Sequence, residues 1–339
     1  MKKILLYAIF ALALSNGLFA QGKEKIDVDF TGYGAAGFRF VDRNQLVDYN
    51  QETYFEGKFQ VELKYNKNIE AQLDFRGNSS DNAVDLREYS IKFDYWDKMK
   101  FEVGNLKKVF GLEYLSSEEN LIQIRRSFIQ RSFSDQGYGN RALTLMGYYK
   151  YSKKQPEYPY SYYFSVYKDN SLNAGAATRF SYHTSSMAYS AGYLFQNRGG
   201  EAKFSSHGVE ADVQFEQGDF TSNAEAYFGT NTEEGIRRKM AGLNSSVSMA
   251  GFKTQAALNF NINKEVIKDI EPFVLAGFLV PDTDESEVYT IEALLGANFY
   301  FHKDVRFRLN GDLLLTKNKY SDELSTIGSS VTLEFQAKF

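Results

Sequence analysis

The chain has 339 residues, with 39 Lys or Arg, 43 Asp or Glu, three His and no Cys, for a net charge of -4. This balance excludes a strongly basic nucleic-acid binder, a disulfide framework and any thiol or cysteine-based metal chemistry. With 24 Tyr, 29 Phe and 26 Gly against one Trp and 4 Pro, the composition is rich in aromatic residues and poor in strand breakers.

The first twenty residues read as a separate unit. Lys2 and Lys3, an apolar run over 4–14 and the exit Leu18-Phe19-Ala20 have the order of a secretory signal peptide, cut between Ala20 and Gln21. An N-terminal anchor is the other reading, but the run is short of the roughly 20 residues a spanning helix needs. Cleavage would remove Lys2 and Lys3 from the 39 basic residues and no acid, leaving 37 against 43. Mean hydropathy is -0.42, and charge interrupts every later apolar run. The exported chain is then either periplasmic or secreted, or a membrane β-barrel, in which only one face of each strand meets lipid. Aromatic girdles at two bilayer interfaces would use the Tyr and Phe.

Period-two alternation predicts the strands. The first covers 28–41, with Val28, Phe30, Ala36, Phe38 and Phe40 on one face. Gly32, Gly34 and Gly37 lie within it, where they suit curvature and not a nucleotide loop. In the second, Phe55, Gly57, Phe59, Val61, Leu63 and Tyr65 alternate with Glu56, Lys58, Gln60, Glu62 and Lys64. A turn at 66–68 leads to a third with Ile69, Ala71, Leu73 and Phe75 against Glu70, Gln72, Asp74 and Arg76. Dense charge on one face of long neighbouring strands suits a water-filled lumen; a narrow barrel packed by its own side chains needs an apolar interior.

Further strands are predicted near 86–96 and 99–105. An irregular stretch over 106–140 follows, then strands near 141–151, 160–168, 175–183, 187–197, 204–216 and 220–229. After a second long loop come 249–262, 270–280, 287–301, 305–316 and 327–339. Residues 240–249 resemble one more strand. Bacterial single-chain barrels have even numbers, so this segment is assigned to an extracellular loop or a strand extension, leaving about 16 strands in an all-β transmembrane antiparallel barrel. The prolines Pro156, Pro159, Pro272 and Pro281 fall at predicted turns or strand starts. The last strand alternates Val331, Leu333, Phe335, Ala337 and Phe339 with Thr332, Glu334, Gln336 and Lys338. A terminal aromatic such as Phe339 resembles the assembly signal of outer-membrane barrels, which the barrel-assembly machinery would read.

Several segments resemble the phosphate-selective porins O and P. Val103-Gly104-Asn105-Leu106-Lys107-Lys108-Val109-Phe110-Gly111-Leu112-Glu113 resembles their passage from a strand into the constriction loop. Arg126-Ser127-Phe128-Ile129-Gln130-Arg131-Ser132 and then 137–145 keep the same order. Glu271-Pro272-Phe273-Val274 and Leu295-Gly296-Ala297-Asn298-Phe299-Tyr300 resemble two late strands. The resemblance implies a barrel of about 16 strands in the bacterial outer membrane, an inward-folded loop, a homotrimer, and arginines and lysines that attract anions. The charge pattern departs from it. Expected inward positions include Glu56, Glu62, Glu70, Asp74, Glu88, Asp94, Glu210, Asp212, Glu225 and Glu292 among Lys58, Lys64, Arg76, Lys92, Arg306 and Arg308, which are expected to line the pore.

The constriction and anion-binding candidates are Lys107, Lys108, Arg125, Arg126 and Arg131. With Arg141 they face Glu113, Glu118, Glu119 and Asp135, a local surplus of two positive charges. Guanidinium groups bind oxyanions bidentately; equally, these arginines could pair with lumen carboxylates and pin the loop to the wall. Arg306 and Arg308, followed by Asn310 and Asp312, read as part of an arginine ladder or as a wall that cancels its own charge. No serine sits in a G-x-S-x-G motif. His183, His207 and His302 lie near turns and strand starts, and no ligand spacing suggests a metal, so neither an enzyme nor a cofactor is expected. The expected function is passive diffusion of small hydrophilic solutes, with anions such as phosphate as candidates. A general or cation-preferring pore, a non-conducting structural barrel and a secreted β-sandwich stay open.

Overall fold

The computed structural model describes residues 26–42, 49–79, 83–169, 173–198, 203–319 and 323–339. The signal-peptide expectation lies outside them. The strands are β1 (Ile26–Asp42), β2 (Tyr49–Tyr65), β3 (Ile69–Asn78), β4 (Ala83–Trp96), β5 (Met99–Lys107), β6 (Arg141–Tyr149), β7 (Tyr160–Lys168) and β8 (Asn173–His183). They continue as β9 (Met187–Arg198), β10 (Phe204–Gln217), β11 (Phe220–Thr230), β12 (Ser248–Leu258, resuming at Phe260–Asn261), β13 (Asp269–Val280), β14 (Tyr289–His302), β15 (Val305–Lys317) and β16 (Leu324–Lys338). Both pieces of β12 pair with β13, so they form one interrupted strand.

Each strand pairs antiparallel with the next, and β1 pairs with β16, from Tyr33 opposite Lys338 to Asp42 opposite Ser329. The sheet closes on itself as a sixteen-stranded barrel and leaves no open edge, so the ladder satisfies its own N–H and C=O groups. Side-chain alternation sorts the sequence onto two surfaces. Phe30, Phe38, Phe55, Leu145, Phe164, Val274, Leu295 and Phe335 stand exposed on the outside. Glu210, Asp212, Glu225, Lys253, Glu292, Arg306, Arg308 and Glu334 point inward and are buried. An apolar exterior around a charged interior is the reverse of a soluble sandwich, and it defines a transmembrane β-barrel of the outer-membrane type. No helix among the described residues is long and apolar enough to cross a membrane.

One end of the barrel has short connections, such as the turn at 66–68 with Asn66 at φ 51°. The other end has the long loops. The irregular stretch predicted at 106–140 begins two residues later than expected, because β5 runs to Lys107. It contains α1 (Leu112–Leu115), a 3-10 turn at Glu118–Asn120 and α2 (Phe128–Asp135). The second long loop forms α3 (Thr232–Met240) before β12, so residues 240–249 add no seventeenth strand. Phe339 closes the ladder: its N–H donates to Gly32 O and its carbonyl accepts from Gly32 N–H, both at 3.0 Å.

Candidate pore constriction

The loop between β5 and β6 folds into the lumen, and its sequence gives it two different sides. On one side it carries Phe110, Ile129, Phe133 and Tyr138, all fully buried. These pack with Leu194, Tyr227 and Met249 of the wall. The wall makes room with glycine: a Cβ on Gly251 would meet Ile129 Cγ2 at 2.9 Å, and one on Gly277 would meet Ile129 Cδ1 at 2.6 Å. Ser127 caps α2 by accepting from Gln130 N–H at 3.2 Å.

Several charged groups on this side are paired. Lys253 of β12, 1% exposed, lies 2.5 Å from Glu113 of the loop and 2.6 Å from Glu225 of β11. Glu113 also accepts from Ser127 N–H (2.6 Å) and Ser127 Oγ (2.7 Å). Burial would raise the Glu113 pKa; the Lys253 ammonium and the Ser127 donors outweigh it and hold the carboxyl below its ordinary value. Arg179 of β8 bridges Glu210 and Asp212, and Glu210 accepts from Gly111 N–H, where the backbone takes φ 84°. Lys108, also 1% exposed, donates to Gly137 O at 2.9 Å and sits 3.7 Å from Asp169 and 4.7 Å from the Tyr167 ring. Burial lowers its pKa, partly offset by Asp169.

The loop then crosses to the opposite wall. Glu118 pairs with Arg76 of β3, which also pairs with Glu56. Lys58 of β2 lies 3.1 Å from Glu119 and 3.4 Å from Asp74. Arg306 donates to the carbonyls of Glu119 (2.9 Å) and Leu121 (3.1 Å), while Arg308 donates to Gln123 O (3.2 Å) and pairs with Glu334. These two arginines face inward, but the loop covers them. Burial would raise the Glu118 pKa; Arg76, then Arg126 and Arg87, outweigh it and hold the carboxyl at about 2.

Between this part of the loop and β2–β6 lies a cleft of about 340 Å³, counting its open mouth. Six cations line it (Lys58, Arg76, Arg87, Lys107, Arg126, Arg141), with four carboxylates (Asp74, Glu88, Glu118, Glu119). Arg141 pairs with Glu88 at 2.6 Å, and Arg126 donates to Glu113 O and Ser116 O. Lys107 donates to Ser116 O at 3.2 Å and Leu115 O at 3.4 Å.

Of the other expected site residues, Arg125 is exposed 5.6 Å from the Tyr54 ring, and Arg131 lies in electrostatic reach of Arg39 and Asp312. Lys64 pairs with Asp29 at 2.6 Å and Lys92 with Glu70 at 2.6 Å, both away from the cleft. The fold therefore brings Lys107, Arg126, Lys58 and Arg76 together and leaves Lys108, Arg125, Arg131, Lys64, Lys92, Arg306 and Arg308 elsewhere. The sequence alone did not single out Arg87, Arg141 as a wall residue, Arg179 or Lys253. Arg87 had a visible signal: two consecutive charged residues, Arg87-Glu88, break the alternation of β4. Among the described residues, no group of three His, Asp or Glu is placed to hold a metal ion.

A closed sixteen-stranded barrel with a loop folded inside is the porin architecture. An anion-selective porin from Comamonas acidovorans superposes with a TM-score of 0.68 at 11% identity, over 93% of this chain and 100% of that one. The trimer form of OmpT, an outer membrane protein of Vibrio cholerae, gives 0.66 at 12% identity over 93% and 99%. Salmonella typhi OmpF, in complex with daunomycin, gives 0.63 at 12% identity over 92% and 97%. At such identities the likeness is one of fold. No family model matches the chain, and no curated protein sequence does.

Proposed function

We propose that the protein is an outer-membrane porin giving passive diffusion of small hydrophilic solutes, with an anion preference set at the cleft. The observation that carries it is the surplus of cations, six against four carboxylates, lining the cleft between the loop and the wall. Flux through such a site depends on width and lining charge, with no chemical step. The likeness to an anion-selective porin agrees with this preference, and phosphate is the anion the segment resemblances favour. The trimeric form of another similar barrel supports a homotrimer in outer-membrane lipid. Residues 1–20 serve as the signal peptide, and Phe339 as the mark read by the assembly machinery.

Catalysis is not part of the proposal. The pair that looks most like a nucleophile and base is Ser161 Oγ and His183 Nε2, 2.8 Å apart. Ser161 Oγ also accepts from Tyr151 N–H at 2.8 Å, and the other imidazole nitrogen has no hydrogen-bond partner among the described residues. The triad logic of an oriented base is missing.

The test is the reversal potential of detergent-refolded protein in a planar bilayer under a potassium chloride gradient. A chloride-directed potential supports the proposal. A cation-directed one would give the pore to Glu62, Glu70 and the other lumen acids. A second reading, a plugged structural barrel, is favoured by the loop's dense pairing to both walls, and the absence of any conductance would establish it.

A further inference from the structure

The outer surface of the barrel carries a groove whose origin lies in the ladder. Across β5–β9 one row of outward residues reads Phe101, Gly147, Phe164, Thr178 and Tyr193, each opposite the next. Large and small side chains alternate along it, so the small ones leave gaps between the rings. In the adjoining row Leu145 faces Val166, and Val166 faces the small Ala176. The result is a groove of about 870 Å³, counting its open mouth, with a mainly apolar lining.

The foot of the groove is Met99, beside the turn at 97–98. This is the barrel end with short connections, which in outer-membrane barrels faces the periplasm. Trp96, the one Trp of the chain, packs edge-on against Phe101 with ring centroids 5.2 Å apart. Tyr162 packs against Phe164 at 6.0 Å, and its hydroxyl donates to Lys98 O. Lys98 Nζ lies 3.4 Å from the centre of the Tyr158 ring. Trp and Tyr, with an apolar body and a polar tip, mark the membrane–water interface. The groove therefore starts at headgroup level and runs inward to the middle of β8 and β9.

Charge at the foot suits a lipid phosphate. The turn at 97–98 and the connection at 150–159 hold four cations, Lys98, Lys150, Lys153 and Lys154, against Asp97 and Glu157. Lys153 reaches Glu216 at 3.5 Å. Lys98 is exposed, and its ammonium meets the Tyr158 ring and no carboxylate among the described residues. A second copy of the chain could fill the groove with side chains, but only a phospholipid joins a flexible apolar chain to an anion at the spacing of groove and lysine.

We propose that this groove binds one anionic phospholipid of the periplasmic leaflet. An acyl chain lies over Gly147 and Thr178, and the phosphate meets Lys98 between Trp96 and Tyr162. The site is on the lipid face, so it is independent of whether the lumen conducts.

The experiment uses the full-length protein in phosphatidylcholine vesicles, with Trp96 as the reporter. Phosphatidylglycerol brominated on its acyl chains, which quenches Trp on contact, is titrated into the host lipid. Brominated phosphatidylcholine is the control, and native mass spectrometry of detergent-refolded protein counts the phosphatidylglycerol retained. Quenching by the anionic lipid should saturate at a low mole fraction, with one lipid retained per chain, while the control quenches in proportion to its amount. Lys98→Gln should raise the half-quenching fraction about fivefold, equivalent to about 1 kcal/mol. Gly147→Leu fills the floor of the groove and should abolish both saturation and retention. Lys98 lies in an exposed turn, so its variant tests the site even if Gly147→Leu fails to fold. Quenching that follows mole fraction for both lipids and is unchanged in Lys98→Gln overturns the site and leaves ordinary boundary lipid. An oligomer that shields Trp96 from both lipids, and that Gly147→Leu dissociates, overturns it in favour of a second copy of the chain.

Discussion

The two sides of the constriction loop use the same chemistry to opposite ends. Toward β10–β13, Lys253 is enclosed by Glu113 and Glu225, and Phe110, Phe133 and Tyr138 pack on one another at ring separations of 5.2 to 6.4 Å, with Phe110 and Phe133 against Tyr227, whose hydroxyl donates to Glu225. Toward β2–β6, Arg76, Lys58 and Arg141 are also paired with carboxylates, but no aromatic layer covers them and the cleft stays open. Pairing alone therefore does not decide whether a charge anchors or recruits. Burial decides it, because removing water makes a pair strong and its breakage costly, while a hydrated pair exchanges partners at little cost.

The largest effect should come from breaking the dry side. Lys253→Met leaves Glu113 and Glu225 facing each other without a cation, a loss of about 3–5 kcal/mol for a buried pair. The loop should detach, seen as new proteolytic cleavage within 108–140 and a larger single-channel conductance. Retained protease resistance would mean that the aromatic layer holds the loop alone.

Gly251→Val should be next. The added methyls would drive into Ile129 and Phe133, and overpacking typically costs about 1–3 kcal/mol. Faster hydrogen exchange across α2 with unchanged exchange in β1–β4 would confirm that the strain is local.

On the wet side, the Glu118 pairing with Arg76 and Arg126 should survive acid. Its folded-state pKa of about 2 lies below the ordinary value of about 4.5. The contribution is complete above about pH 4.5 and is lost as pH falls toward 2. Conductance should therefore stay level from pH 7 to about 4.5 and change below it, and Glu118→Gln should remove that change. A step near neutral pH that persists in Glu118→Gln would place the sensitive group elsewhere.

The smallest effect is expected at α3. Arg237 pairs with Glu234 at the surface, with its side chain 71% exposed. Arg237→Ala should leave thermal stability and conductance within error, as for most exposed pairs. A measurable loss would mean that α3 takes part in holding the loop beneath it, where Glu233 N–H meets Gln136 Oε1 at 2.9 Å.

Much of the wall was legible in the sequence. Alternation along 55–65, 69–76 and 331–339 set which face was apolar, and even parity kept 240–249 from counting as a separate strand. Period two is a local property of the pleat, so it survives without knowledge of the neighbours. The loop was less legible. Its cations stood out, yet Lys108 proves buried against Tyr167, and Arg306 and Arg308 meet loop carbonyls. Those outcomes depend on contacts between residues far apart in the chain, such as Lys253 with Glu113.

By itself the sequence determined an all-β barrel with a charged interior and one basic loop, because alternation and composition act residue by residue. Only the tertiary structure decided which charges were spent on anchoring and which were left facing water. Closing the sheet brings β10–β13 against the aromatic side of the loop and β2–β6 against its polar side. In β4, Glu88 pairs with Asp74 and Leu86 with Phe75, so Arg87 between them forms a β-bulge that turns one more cation inward than alternation allows.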